Sequence, residues 1–274
     1  MYAKAYVEIT NCCNLRCSFC HGHSRPARQL SQEEFAHILQ QLQGKTKYIY
    51  YHLMGEPLLH PLLPKFLDMA AQQGFRSILT TNGTLLARLG EALLEHPLHK
   101  VNISVHSFED KTGEECRLYL QQLSRFAQAA AEKKVLINLR LWNKGYDEEN
   151  TRLALEIFHS FFPEPWQENP RGYRLGEQVY LQWGERFDWP DAQAEILSQR
   201  VFCYGLKDQF GILSDGTVVP CCLDSDGVIA LGNVFREDLS DILASPRAHA
   251  MVKGFQCRKP TEDLCRRCGY ATRF

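Results

Sequence analysis

From residue 4 to residue 142 the chain alternates two hydrophobic periods, and this alternation restricts its fold more than any other feature. Segments with a side-chain period of two fall at 4–10, 47–53, 76–80, 100–106 and 135–142. Stretches of helical period lie between them. Ser31 and Glu34 form a capping-box signature ahead of Phe35, Ile38, Leu39 and Leu42. Leu63, Phe66, Leu67 and Ala70 make a second stripe that stops at Gly74, and Tyr119, Leu123, Phe126 and Ala130 make a third. Strands separated by helices pair in parallel, so the predicted class is α/β.

The strands have two chemically distinct faces. Val101, Ile103 and Val105 alternate with Asn102, Ser104 and His106; Ile137, Leu139 and Leu141 alternate with Asn138 and Arg140; Val7 and Ile9 alternate with Glu8 and Thr10. With helices on the apolar face, the polar set lines the inside of a curved sheet. That lining is too polar for a packed barrel core and calls for a polar ligand. A half-exposed antiparallel sheet alternates as well, but the intervening helices argue against it. Cys13–Cys20, Glu56, Asn82, His106 and Asn143 follow the C-terminal ends of successive strands, where parallel α/β barrels build their active sites.

Beyond Pro163 the pattern loosens. Residues 178–183 read as a sixth strand, and the rest of the stretch to Arg200 reads as a linker with aromatic contact surface. FGILSDGTVVPCC carries a hairpin signal with Asp215-Gly216 at its turn, followed by a helix around 238–252. Lys and Arg number 31 against 32 Asp and Glu, so composition points to neither a nucleic-acid nor a membrane partner. The start, MYAKAYVEIT, has no signal-like apolar core, and no apolar run approaches the ~20 residues of a membrane span. Eleven cysteines, an odd number without an export signal, favour thiolate ligation of metal in a reducing, cytoplasmic compartment.

CCNLRCSFC, directly after the first strand, spaces Cys13, Cys17 and Cys20 as C-x₃-C-x₂-C. Three thiolates on a [4Fe–4S] cube leave one iron open to bind a small molecule. A zinc site or incidental thiols are the other readings of the spacing alone, and Cys12 breaks it. Near the other end, Cys203, Cys221, Cys265 and Cys268 form C-x₁₂-G-x₄-C, a gap and C-x₂-C. Four thiolates suit a second [4Fe–4S] cluster or a structural zinc, and Cys222 or Cys257 is able to stand in for one of them.

The first motif, with Phe19 before its last cysteine, resembles the hallmark of the radical S-adenosylmethionine (SAM) superfamily. HLMGEP resembles that family's Gly-Gly-Glu motif: Gly55 and Glu56 match, while Met54 stands where the first glycine usually is. TTNG at 80–83, with Asn82, is another family feature; Ser104 falls at a ribose-contact place and Arg140 at a carboxylate-contact place. The C-terminal segment is similar to the shorter, one-cluster form of the SPASM/twitch extension. The resemblance implies a partial (β/α)6 barrel over 1–162, a last strand and linker over 163–200, and a small cysteine-rich auxiliary-cluster module over 201–274.

The resemblance also implies chemistry. Cys13, Cys17 and Cys20 would hold the catalytic cluster, and Phe19, Gly55, Glu56, Asn82, Ser104 and Arg140 would bind SAM. Cys203, Cys221, Cys265 and Cys268 would hold the auxiliary [4Fe–4S] cluster. A reducing partner such as flavodoxin or ferredoxin supplies an electron, and SAM is cleaved to a 5′-deoxyadenosyl radical that abstracts hydrogen from the substrate. The expected outcome is oxidative modification of a peptide or protein, with dehydrogenation of a small polyol and RNA modification as alternatives. An electron carrier would need closed clusters and no SAM pocket. Because the first strand begins by residue 4, a leader peptide would need a separate recognition partner. Finally, Arg247, Lys253, Arg258, Lys259, Arg266, Arg267 and Arg273 face only Glu262 and Asp263 in the tail. That is a solvated basic face, or, with Trp166, Tyr173 and Trp183, an edge that draws an anionic substrate.

Overall fold

The computed structural model describes residues Met1–Phe274. The strands are β1 (Lys4–Val7), β2 (Tyr48–Tyr50), β3 (Arg76–Thr81), β4 (Lys100–Ser104), β5 (Leu136–Leu141), β6 (Gln167–Asn169), β7 (Gly172–Arg174), β8 (Val179–Trp183), β9 (Gln209–Ile212), β10 (Thr217–Val219) and β11 (Gly232–Asn233). The helices are α1 (Gln32–Leu42), α2 (Leu63–Gln72), α3 (Leu86–Leu93), α4 (Gly113–Glu132), α5 (Glu148–Phe161), α6 (Leu239–Leu243), α7 (Pro246–Gln256) and α8 (Asp263–Arg266). One helix thus connects each pair of successive strands from β1 to β5, as the predicted α/β class requires. None of the helices is long and apolar enough to cross a membrane.

Two compact units result. The first comprises Met1–Arg76 and Phe187–Phe274. Here β1 lies between two parallel partners, with Ala5 opposite Ile49 of β2 and Phe210 of β9. β9, β10 and β11 continue as an antiparallel meander. The hairpin turns at Asp215-Gly216 as the sequence suggests. Gly216 has φ +86°, and a Cβ there would lie 2.4 Å from the Phe235 ring. β1 is shorter than the predicted 4–10, because Thr10 leaves the sheet to bridge Gln29. Phe35, Ile38, Leu39 and Leu42 of α1 pack with Ile49, Tyr51, Phe66 and Leu67 as a fully buried core. The capping box closes in both directions: Glu34 N–H donates to Ser31 Oγ (3.1 Å), and Ser31 N–H to Glu34 Oε2 (2.8 Å). The helix expected around 238–252 is two. Pro246 cannot continue α6, and Ser245 caps α7 by accepting Ala248 N–H at 3.3 Å.

The second unit is Ser77–Arg186. β3, β4, β5 and β8 are parallel in that order, and β7 and β6 add an antiparallel hairpin beyond β8. β8 is the sixth strand expected at 178–183; the β6–β7 hairpin occupies part of the expected linker. The apolar face buries Val101, Ile103, Ile137, Leu139 and Leu141 completely. On the polar face Asn102 and Asn138 are buried as well, and the amides there bond to one another. Asn102 Nδ2 donates to Thr80 Oγ1 (3.2 Å), and Asn138 Nδ2 donates to Asn102 Oδ1 (3.4 Å) and Gln182 Oε1 (2.7 Å). Buried amides without such partners would each cost about 1–3 kcal/mol.

Candidate active site and cysteine centres

In the first unit the chain leaves β1 and forms a loop closed by the Thr10–Gln29 bridge. Cys13 and Cys20 are exposed and Cys17 is half-buried. Cys20 N–H donates to Cys17 O at 3.1 Å, closing a tight turn between the last two cysteines of the motif. Leu15 N–H points at Cys13 Sγ, 3.5 Å away. Although the residue is exposed, partial desolvation of its sulfur pushes the Cys13 thiol up; the Leu15 and Asn14 N–H groups oppose this, and the nearby negative charges of Glu56 and Cys20 reinforce it. Cys13, Cys20 and Glu56 therefore share one small region. Cationic iron is what would stabilise three thiolates beside an acid there.

Glu56 reaches that region because position 55 is glycine. Gly55 has φ +78°, and a Cβ on it would sit 2.4 Å from Thr10 O and 2.9 Å from Cys12 O. Only a residue without a side chain lets this backbone lie flat on the start of the cysteine loop. Glu56 N–H then donates to Cys12 O at 2.8 Å, and the carboxylate, 1% exposed, accepts Leu58 N–H at 3.1 Å. Met54, where the resembled motif has a glycine, is buried and its φ is negative, so a side chain fits. Phe19 is half-buried, and its carbonyl accepts Trp189 Nε1–H at 3.0 Å. Trp189 was hidden in the linker. Its ring leads through Phe187 (5.6 Å) to Tyr270 (5.1 Å), two residues past Cys268.

The C-terminal cysteines lie in this same unit. Cys221, Cys265 and Cys268 each feel the charge of Cys203, and Cys203, Cys221 and Cys268 each feel that of Cys222. Burial is the main reason that all four thiols are pushed up, Cys268 to about 11. Backbone N–H groups just downstream face three of the sulfurs: Gly205 and Tyr204 face Cys203, Leu223 faces Cys221, and Ala271 and Tyr270 face Cys268. Cys257 is exposed at the end of α7, and Cys222 also packs against the cluster of Tyr6, Leu53, Leu213 and Val219. Four thiol donors suit a four-iron cube or a structural zinc.

In the second unit, Asn82, Ser104 and Arg140 stand at the C-terminal ends of β3, β4 and β5. Asn82 is buried and its Oδ1 accepts from Thr84 N–H (3.0 Å) and Oγ (2.7 Å), so the side chain also shapes the turn. Ser104 and Arg140 are register partners, and the guanidinium lies 4.9 Å over the Trp142 ring. His106, on the turn after β4, is buried with Nδ1 at 3.0 Å from Arg140 O. Burial lowers its pKa to about 4; the positive Arg140 and Arg186 push the same way, against the contact with Arg140 O and the charge of Glu109. Arg186 pairs with Glu109 (3.1 Å) and lies 4.2 Å over the Tyr146 ring. Asn143 instead braces its own loop, donating to Tyr146 O (3.1 Å) and Thr151 Oγ1 (3.0 Å).

Residues 7–161, more than half of the chain, match the family model described as the radical SAM superfamily. This chain belongs to the radical SAM superfamily. Residues 203–269 match SPASM, an iron–sulfur cluster-binding domain, which favours iron over zinc for the second centre. The chain is thus an enzyme of the radical SAM type, with [4Fe–4S] clusters and SAM as its cofactors and a need for a reductant. Among curated relatives, a GTP 3',8-cyclase of Chlorobaculum tepidum is 36% identical over 107 residues, 38% of this chain and 32% of that protein. The matched stretch thus spans about a third of that relative. A GTP 3',8-cyclase of Microcystis aeruginosa is 25% identical over 296 residues, covering 90% of this chain and 89% of the relative. Solved structures show the same fold. BtrN in complex with AdoMet and 2-DOIA gives a TM-score of 0.62 at 18% identity, covering 98% of this chain and 93% of BtrN. AnSMEcpe with bound AdoMet and a peptide gives 0.62 at 16%, covering 97% and 89%. Streptococcus suis SuiB bound to precursor peptide SuiA gives 0.56 at 15%, covering 98% and 70%.

Proposed function

We propose that this radical SAM enzyme works in the cytoplasm and oxidatively modifies a peptide or protein, receiving electrons from a flavodoxin or ferredoxin. In this reading Cys13, Cys17 and Cys20 hold the SAM-cleaving cluster, and Cys203, Cys221, Cys265 and Cys268 hold the auxiliary one. The functional division runs 1–162, 163–200 and 201–274. When bound, the first cluster and SAM supply a 5′-deoxyadenosyl radical that removes a hydrogen atom from substrate. Gly55 and Glu56 hold the amino group of SAM and Phe19 lies by its adenine. Asn82, Ser104 and Arg140 offer the amide, hydroxyl and guanidinium that suit its ribose and carboxylate. The observation that carries the assignment is the side-chain-free fit of Gly55 on Thr10–Cys12, which aims Glu56 at the cysteine loop.

For the substrate, support comes from the likeness to anSMEcpe and SuiB, both solved with peptides. Four of the tail's seven cations are already engaged within the same unit. Arg247 pairs with Glu262 (2.8 Å) and Arg266 with Asp263 (2.8 Å), Arg267 donates to Ala194 O, and Arg273 lies over Phe187 and Tyr270. The relatives named GTP 3',8-cyclase favour a second reading, a purine nucleotide as substrate. Anaerobic incubation with SAM, reductant and either GTP or peptides encoded beside the gene separates the two. Loss of two hydrogens from a peptide by mass spectrometry supports the first reading, and conversion of GTP alone overturns it.

A further inference from the structure

Glu8 sits on the polar side of β1, between the fully buried Val7 and Ile9, and is itself fully buried. Its carboxylate collects donors from three places in the first unit. Arg25 Nη1 and Nη2 donate to the two oxygens at 2.7 Å each. Met54 N–H donates to Oε2 at 3.2 Å, and Ser214 donates to Oε1 through N–H (3.2 Å) and Oγ (2.9 Å). Arg25 lies five residues past Cys20, Met54 adjoins Gly55-Glu56, and Ser214 is the turn of the hairpin that leads to Cys221. The arm carrying Arg25 is fastened at further points. Arg25 Nε donates to Ser225 O (2.7 Å), Ser24 N–H and Oγ donate to Asp226 Oδ1 (2.6 and 3.0 Å), and Arg28 Nε donates to Ser214 O (2.6 Å).

A buried ion pair of this kind adds little stability over an apolar pair of the same size, whereas removing one partner strands a buried charge. Its distinctive contribution is direction: a bidentate guanidinium admits one geometry. We infer that Glu8 and Arg25 are positioning residues that lock the return arm of the Cys13–Cys20 loop to the Cys221 hairpin and the Gly55-Glu56 segment. The geometry of the first centre then depends on the fold of the C-terminal cysteine segment. The inference rests on the reading that Cys13, Cys17 and Cys20 hold the SAM-cleaving cluster.

The test uses the full chain twice, metal-free and reconstituted. In metal-free Glu8→Gln, hydrogen–deuterium exchange should quicken at least roughly tenfold both in residues 23–28 and in residues 212–216, with Ser77–Arg186 unchanged. After reconstitution, the electron paramagnetic resonance signal of the reduced first cluster should lose its response to SAM. Should Glu8→Gln fail to fold, Glu8→Met with Arg25→Met decides, because that apolar pair removes the lock, including the contacts to Met54, Ser214 and Ser225, without stranding a buried charge. Wild-type exchange in both segments, or an unchanged response to SAM, overturns the inference. If Cys13, Cys17 and Cys20 replaced together by Ala retain all iron, the cluster reading falls instead, and the metal-free exchange still judges the lock.

Discussion

At Gly55 one missing methyl group decides whether an acid meets the cysteine loop. Gly55→Ala places a Cβ 2.4 Å from Thr10 O at a φ of +78°, so strain and overlap together should destabilise the metal-free protein by about 2–4 kcal/mol. Urea unfolding measures this, and an unchanged midpoint would refute the close approach. His106 makes a second residue-level case. Its pKa is about 4 in the fold against about 6.5 unfolded, so between those values the unfolded chain binds a proton that the folded chain refuses. Stability is whole above pH 6.5 and falls as the pH drops toward 4, by about 2–3 kcal/mol at pH 4.5. His106→Gln should lack that part of the loss. Equal losses between pH 7 and 4.5 in both proteins would show that Arg140, Arg186 and burial do not hold the ring neutral.

At the scale of elements, local period was enough to read β1–β5, β8, the capping box of α1 and the Asp215-Gly216 turn. It failed where a short segment carries little period or where pairing is distant. QEN and GYR are too short and polar to announce β6 and β7, and Pro246 outweighs the apolar stripe that made α6 and α7 look continuous. That β9 lies parallel to β1 was not legible, since nothing local marks a partner some two hundred residues away. The same holds for Glu8: its place on the polar face was legible, but the donors from Arg25, Met54 and Ser214 were not. The cysteine spacings were the most informative local signals. Fully reconstituted protein is expected to hold about eight irons, and Cys203, Cys221, Cys265 and Cys268 replaced by Ala about four. Iron and zinc analysis checks this; four irons with stoichiometric zinc in the wild type would contradict an auxiliary cluster. Cys222→Ser should keep all eight.

Over the whole molecule, both cysteine centres belong to one compact unit, and a sheet whose inner amides bond to one another forms the other. The chain as a whole is near neutral, but the tail keeps an excess of cations, since its two carboxylates pair only with Arg247 and Arg266. Glu56→Gln removes one charge-assisted contact worth about 1.5–3 kcal/mol, so SAM affinity should fall roughly ten- to hundredfold while the iron content stays constant. Unchanged affinity in calorimetric titration would mean that Glu56 does not face SAM. The most direct test of the site is anaerobic chromatography of reconstituted protein given SAM and a reductant. Wild type should release 5′-deoxyadenosine and methionine, and Cys17→Ala should release neither. Equal release from Cys17→Ala, or none from wild type loaded with both clusters, would contradict the assignment of Cys13, Cys17 and Cys20 as the SAM-cleaving centre.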